Sequence, residues 1–447
     1  MTTAVATPPI TKMDPDRTMS SAATETADKI VDPEVYADPK QLDAAFTKLR
    51  AEDPLAWCEP QNFRPFWAVT KHADIMEVSR QNKLFTNGER EMLSYRHTEE
   101  KVYAQFGQPH LLKTLVQLDD PMHYKLRHLT QDWFMPHNVK KREVAVRNIA
   151  RQYVDRMEDL GNSCDFQQDI ALYFPLRVIM QILGVPESDE PMMLKLTQEI
   201  FGAQDEDLMR DSNLAGTEDV NEATDRGLAS IQETLAEFFM YFTGITADRR
   251  ANPKDDVSTI IANGKIDGED IGQLEAMSYY IIVAAAGHDT TSASTGGGVL
   301  AMLQDPAQLK KMMDAPKDLS RTAVDEAIRW TTPVKHFMRT SHADYDLRGK
   351  TIRKGESVLL CYPSGNRDEE VFEDPFKFKV DRSPNKLISF GHGGHMCLGM
   401  HLARLEMQAI YEELFSRVKS IELTGDPSFI RANFVGGPKT IPVHYKF

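Results

Sequence analysis

The chain predicts a mainly α domain with small β-sheets, and three observations carry that expectation. Apolar residues recur at helical spacing through most of the 447 residues, whereas β-branched, alternating runs are few and short. No Ser/Gly-rich or Pro-rich linker interrupts the chain after about residue 35, so residues 32–447 read as one domain behind a flexible arm, 1–31. Hydrophobic content of 41% and charged content of 27% are ordinary for a globular protein.

Taken in chain order, the helical period marks 41–51, 72–81, 121–134, 139–160, 169–183, 191–201, 221–250, 270–303, 320–330 and 400–417. Asp120-Pro121 predicts an N-cap with proline at the first helical position. Strand signals fall at 66–70, 340–350, 357–361 and the extreme C-terminus. Residues 87–118 show no clean period, and a long irregular stretch inside a compact domain is often a ligand-binding loop.

Bulk properties narrow the function. A formal net charge of −15 argues against a general nucleic-acid binder and against a polybasic membrane anchor. The N-terminal residues are rich in Ala, Thr, Asp and Pro, with no apolar core flanked by basic residues, so neither a signal peptide nor a membrane span is expected there. Cys58, Cys164, Cys361 and Cys397 are few and widely spaced, which fits a reducing cytoplasm better than a disulfide scaffold.

The most informative stretch is 390–399, F-G-H-G-G-H-M-C-L-G. Gly391, Gly393 and Gly394 suit tight backbone with positive φ, where a side chain would obstruct a close ligand. The helix that follows brings its N-terminus near Cys397, and helix-end N–H groups favour a thiolate. A thiolate on such a loop suits ligation of haem iron. Zinc held by His392, His395 and Cys397 is the weaker alternative, because no second Cys/His pair completes the usual four ligands. A lone buried Cys acting as a small hydrophobe would leave the glycines unexplained.

A second stretch, 279–291, reads Y-Y-I-I-V-A-A-A-G-H-D-T-T. Its apolar part is too short to span a membrane, so it predicts a helix crossing the core. Ala284, Ala285, Ala286 and Gly287 leave room for a flat molecule against the backbone, although a helix-packing seam would use the same residues. The Thr290 hydroxyl can bond the Ala286 carbonyl four residues earlier. Asp289 and Thr290 lie about 100° apart around a helix, so both cannot face the same partner. His288 reads as a satisfied histidine of the core or surface.

The spacing F-G-x-G-x-H-x-C-x-G, with A-G-x-D-T upstream and E-x-x-R at Glu326 and Arg329, resembles the cytochrome P-450 superfamily of haem-thiolate monooxygenases. The likeness runs from about residue 32 to the C-terminus. Strings such as E-P-M-M-L-K-L-T-Q, P-V-K-H-F-M-R-T, N-R-D-E-E-V-F, G-M-H-L-A-R-L-E-M and N-F-V-G-G-P-K are similar to bacterial terpene-alcohol hydroxylases of the α-terpineol type.

The resemblance implies the cytochrome P-450 fold, a single triangular-prism domain, and haem b (iron protoporphyrin IX). Cys397 would be the axial iron ligand, with Phe390, Gly391 and Ala286 against the haem. His123, Arg127, Arg339 and His395 would hold its propionates, and Glu326, Arg329 and Arg382 would form the buried structural triad. Thr290 would be the alcohol of the oxygen-activation site and Asp289 its proton-relay acid. Leu387 stands where the family often has histidine, which puts one loop hydrogen bond in doubt.

The implied reaction takes O₂ and electrons from a [2Fe-2S] ferredoxin served by an NAD(P)H-dependent ferredoxin reductase. Lys125, Arg127, Lys140, Lys141, Arg142 and Arg404 are candidates for the docking patch. The substrate should be small and hydrophobic, a terpenoid or a small aromatic or polycyclic hydrocarbon. The expected pocket comprises Met92, Leu93, Leu115, Ile282, Ala285, Val334, Phe337 and Phe434, each of which could equally be plain core. Two rivals remain. A peroxide-driven haem-thiolate peroxygenase would not need the Asp289–Thr290 pair. A non-catalytic haem sensor should lack both the relay and an apolar pocket.

Overall fold

The computed structural model describes residues 16–202, 204–208 and 220–447. Helices dominate, and the β structure is confined to small sheets. The elements that position the site are, in order, α1 (Ser21–Thr26), α2 (Pro39–Glu52), β1 (Leu55–Cys58), β2 (Phe66–Val69), α3 (His72–Ser79), β3 (Phe85–Thr86) and α4 (Arg96–Phe106). They continue with α5 (Met122–Gln131), α6 (Glu143–Asp159), α7 (Tyr173–Leu183), α8 (Glu190–Phe201), α9 (Val220–Ala251) and α10 (Gln273–Gln304). The last are α11 (Pro316–Thr331), β4 (His336–Ser341), β5 (Ser357–Cys361) and α12 (Met400–Arg417).

The largest sheet has five strands in the order β1-β2-β5-β4-β3. Strand β5 runs parallel to β2 and antiparallel to β4, with Val358 opposite both Trp67 and Arg339. This register is what carries Arg339 towards the interior of the molecule. The C-terminal strand Pro442–Lys446 pairs with Ser420–Leu423 and Ser163–Asp165, tying the chain end to the helical body.

Helix α10 runs through the middle of the principal core. It packs against α7, α8, α9, α11 and α12, and its second half, Thr291 to Met302, is buried on every side. Small residues permit that: a Cβ on Gly298 would fall 2.1 Å from the Tyr411 hydroxyl oxygen of α12. No described helix is long and apolar enough to cross a membrane.

Several expectations need correction. The predicted arm, 1–31, is packed from residue 16 onward; residues 1–15 lie outside the described residues. Ser20 caps α1, and Ala23 and Ile30 are fully buried. The Arg17 guanidinium sits 4.6 Å from the centre of the Trp67 ring and pairs with Glu356 at 2.9 Å. The apolar face here is built mostly of alanines, which is why low hydrophobicity concealed it.

The irregular segment 87–118 contains α4, an eleven-residue helix in which Val102 alone is buried, so no apolar stripe announced it. The single strand expected at 340–350 is the end of β4 followed by a hairpin of Tyr345–Leu347 and Lys350–Ile352. Asp120 does not cap α5, which starts at Met122 without a side-chain cap. Its carboxylate accepts instead from Asn82 Nδ2 at 2.8 Å.

Candidate active site

The loop before α12 closes on itself. Cys397 N–H donates to the Phe390 carbonyl at 2.8 Å, and Gly391 N–H to the Ile388 carbonyl at 2.8 Å. Gly391 and Gly393 take φ of 69° and 74°, the left-handed region that glycine enters without a Cβ clash. At Gly393 a Cβ would also lie 2.2 Å from the Ser79 carbonyl oxygen. Gly394, expected to share this conformation, is not among the positive-φ residues.

Cys397 has exposed surface, and it lines the wall of an internal cavity. Burial among protein raises its thiol pKa, while the N–H groups of Gly399 and Met400 and the charges of Arg127 and Arg404 pull it down. Helix α12 therefore delivers its free N–H groups to the sulfur.

The cavity, about 220 Å³ open to the centres of water molecules, lies between this loop and α10. Ala286 and Thr290 line it from α10, His123 and Arg127 from α5, and Arg339 from β4. Phe390, Gly391, His395 and Cys397 line it from the loop. Ala286 is exposed into this space, whereas Ala285 beside it is 1% exposed and packed away. The Thr290 hydroxyl donates to the Ala286 carbonyl at 2.9 Å.

Leu115, Ile282, Val334 and Phe337 complete an apolar wall. The other expected pocket residues are elsewhere. Leu93 belongs to the core under the five-stranded sheet, and its N–H donates to His336 Nε2 at 3.0 Å. Neither Met92 nor Phe434 lines the cavity; the Phe434 ring packs edge-on against Phe337 at 5.5 Å. The alternation of a strand decides this, since Phe337 and Arg339 share one face and His336 takes the other.

One end of the cavity is strongly basic. The rings of His123 and His395 stack with centroids 4.0 Å apart. His395 is held neutral, its pKa lowered to about 2 by burial first and then by Arg339, His123 and Arg127. Burial and Arg127 lower His123 too, and its buried Nε2 has no hydrogen-bond partner. Arg127 donates to the Met396 carbonyl at 2.7 Å and Arg339 to the Met338 carbonyl at 2.6 Å. Neither guanidinium has a carboxylate partner among the described residues.

Behind the cavity, Glu326 of α11 takes both guanidinium groups. Arg329 donates to its two oxygens at 2.7 Å each, and Arg382 at 3.0 and 2.9 Å. The Glu326 and Arg329 side chains are wholly buried. The other E-x-x-R string, Glu77–Arg80, is an exposed pair at 3.5 Å.

Asp289 does not line this cavity. Asp289 lines instead a second, small chamber, where Gln167, Gln198, Ser292 and Lys439 stand among apolar residues such as Leu172, Ile430 and Val435. Among the cavity residues that were not foreseen, two carry an unpartnered side-chain atom. Asn87 presents a buried Oδ1 without a partner. Glu406 of α12 is 1% exposed, its Oε2 lacks a partner, and burial raises its pKa well above the usual carboxylate range. Glu406 was findable: it sits four residues after Leu402 and four before Ile410, on the buried face of its helix.

The comparisons bear on what fills this space. The cytochrome P450 family model matches residues 318–441. A relative from Pseudomonas sp, cytochrome P450-terp, is 45% identical over 93% of this chain and 96% of its own length. The chain belongs to the cytochrome P450 family. Linalool 8-monooxygenase of Pseudomonas putida is 29% identical over 92% of this chain and 97% of its own. The crystal structure of CYP108D1 from Novosphingobium aromaticivorans superposes with a TM-score of 0.85 at 42% identity, covering 94% of this chain and 98% of that one.

This P450 is therefore a monooxygenase that carries haem b. The residues present fit that group. Basic side chains gathered in a desolvated space repel one another unless a ligand brings negative charge. Haem b brings two propionate carboxylates, and the unpartnered His123 Nε2 and the two unpaired guanidinium groups suit them.

Proposed function

We propose that this P450 hydroxylates a compact hydrophobic substrate, a terpenoid or small aromatic hydrocarbon, using O₂ and electrons from a [2Fe-2S] ferredoxin with its NAD(P)H-dependent reductase. The observation that carries the substrate class is the apolar wall of Leu115, Val116, Ile282, Val283, Val334 and Phe337, which joins the small surface of Ala286 beside Thr290. The linalool activity of a relative supports the same class.

In this reading Cys397 would hold the haem iron, and Phe390, Gly391 and Ala286 would line the space the haem takes. His123, Arg127, Arg339 and His395 hold the propionates, and Glu326, Arg329 and Arg382 keep the loop scaffold assembled. When bound, the haem supplies the reductive activation of O₂ and the oxidation of the substrate C–H bond. The protein's own part is to exclude bulk water with the apolar wall and to meter protons. Thr290 Oγ1 lends its proton to Ala286, so its lone pairs remain free to accept from water in the cavity. Asp289 collects protons on the other side of α10 and passes them on by turning or through water.

Much of the expected docking patch is engaged within the molecule. Asp325 pairs with Arg404 at 2.7 Å, Asp255 with Arg142 at 2.9 Å, and Asp267 with Lys125 at 2.5 Å. Exposed Lys140 and Lys141, close in sequence to exposed Val144, support a surface in which apolar contact shares the work with charge.

A spin-state titration of the ferric protein tests the substrate class. Monoterpenes and bicyclic aromatics should convert the ferric protein from low to high spin, with a long-chain fatty acid inert. A response to the fatty acid alone would reject the compact substrate while leaving the monooxygenase intact.

A further inference from the structure

His288 is completely buried, and its two ring nitrogens meet unlike partners. Nε2 lies 2.7 Å from the Leu172 carbonyl oxygen. A carbonyl can only accept, so Nε2 carries a proton in every state of the ring. Nδ1 lies 3.3 Å from Asp289 Oδ1 and 3.3 Å from Thr197 Oγ1. The Thr197 hydroxyl is also placed to donate to the Leu194 carbonyl at 3.0 Å. Nδ1 therefore stands between two oxygens, one of them a carboxyl oxygen. A neutral imidazole beside an ionised carboxylate would set lone pair against lone pair. The contact is favourable only when the pair holds one proton, on Nδ1 or on Oδ1.

The second carboxyl oxygen, Asp289 Oδ2, is buried without a partner, and Asp289 lines the small chamber. So does Gln167, 4% exposed, whose Nε2 donates to Ser292 Oγ at 2.9 Å and whose Oε1 has no partner. A Cβ on Gly296 would lie 1.8 Å from that Oε1, so glycine is what admits the amide here. The chamber offers about 40 Å³ to the centres of water molecules, enough for one or two, and two residues of its wall, Asp289 and Gln167, each carry an unpartnered acceptor.

We propose that His288 is a positioning residue of the proton supply: it shares one proton with Asp289 and holds that carboxyl towards the chamber, away from Thr290. The proposal rests on the reading of Asp289 as the relay acid. In one cycle the proton moves from Nδ1 to Oδ1, leaving neutral imidazole and a carboxylic acid. The acid O–H bond then breaks as Asp289 donates to water on the Thr290 side. Protonated chamber water returns one proton to the Asp289 carboxylate, which turns and hands it to Nδ1, so one proton is delivered to the Thr290 side per cycle and neither residue changes net.

The test compares His288→Gln, Asp289→Asn and the double variant as haem-loaded enzymes with their reductase system. Glutamine keeps a donor for the Leu172 carbonyl but brings no titratable proton. His288→Gln should keep haem content and substrate affinity, slow turnover roughly 10- to 100-fold and raise the solvent isotope effect. The double variant should be no slower than Asp289→Asn, because the two act as a unit. Turnover of His288→Gln at the wild-type rate, with Asp289→Asn slow, removes His288 and leaves the relay. Multiplicative losses in the double variant overturn the shared proton. A normal Asp289→Asn enzyme removes the relay reading and this proposal together. Nitrogen-15 NMR of histidine-labelled wild type, in its diamagnetic ferrous carbon monoxide form, needs no variant. A protonated or strongly hydrogen-bonded His288 Nδ1 supports the pairing, and a free, non-bonded one refutes it.

Discussion

At the scale of single residues the cavity works through contrast between neighbours. Ala286 faces the cavity and Ala285, one step along the same helix, does not. Ala286→Leu should therefore weaken the spin shift by bicyclic ligands about tenfold or more, a small loss on the scale of overpacking, while Ala285→Leu should instead cost stability. Equal effects of the two on ligand affinity would show that the cavity wall is drawn wrongly. Cys397→His should abolish the red-shifted Soret band of the ferrous carbon monoxide complex. Persistence of that band would pass the ligand role to another cysteine, of which Cys58 and Cys361 are buried and Cys164 half-buried.

At the scale of elements the scaffold depends on groups that cannot stand alone. Glu326 answers two guanidinium groups and also accepts from Lys379 N–H at 2.9 Å and Asn385 Nδ2 at 3.1 Å. Glu326→Ala would leave Arg329, 0% exposed, without its counter-charge. Removing one partner of a buried pair costs about 3–5 kcal/mol, so the variant should purify with little haem and a lowered urea midpoint. A variant with full haem content and wild-type unfolding would show that the carbonyls of Asn366 and Pro375, which also accept from Arg329, suffice.

At the scale of the whole molecule, burial makes stability depend on pH. His336 joins β4 to the segment before α4 by accepting from Leu93 N–H. Burial lowers its pKa to about 3, against about 6.5 in an unfolded chain. The unfolded state therefore takes up a proton as pH falls below 6.5, while the folded state does not until about pH 3. Stability that is full above 6.5 is lost over that window, at about 1.4 kcal/mol per pH unit. Between pH 6.5 and 4.5 the wild type should lose about 2–3 kcal/mol more than His336→Gln in denaturant titrations. Parallel pH profiles would remove His336 as the cause.

Sequence alone determined what is local. The loop of Cys397 turns on glycines within ten residues of one another, and Ala286, Asp289 and Thr290 are set by helical geometry on one element. The mainly α class followed in the same way from periodicity. Tertiary structure decided what depends on distant partners. It buried Ala22, Ala23, Ala27, Ile30 and Val31 against the sheet, turned Asp289 away from the cavity beside Cys397, and brought Glu406 and Asn87 to that cavity's wall. It also set Arg382 on Glu326, 56 residues apart. A periodic pattern reports which face of an element is apolar, but the neighbour that covers a face, and the water or charge left inside, arise only when separate elements pack.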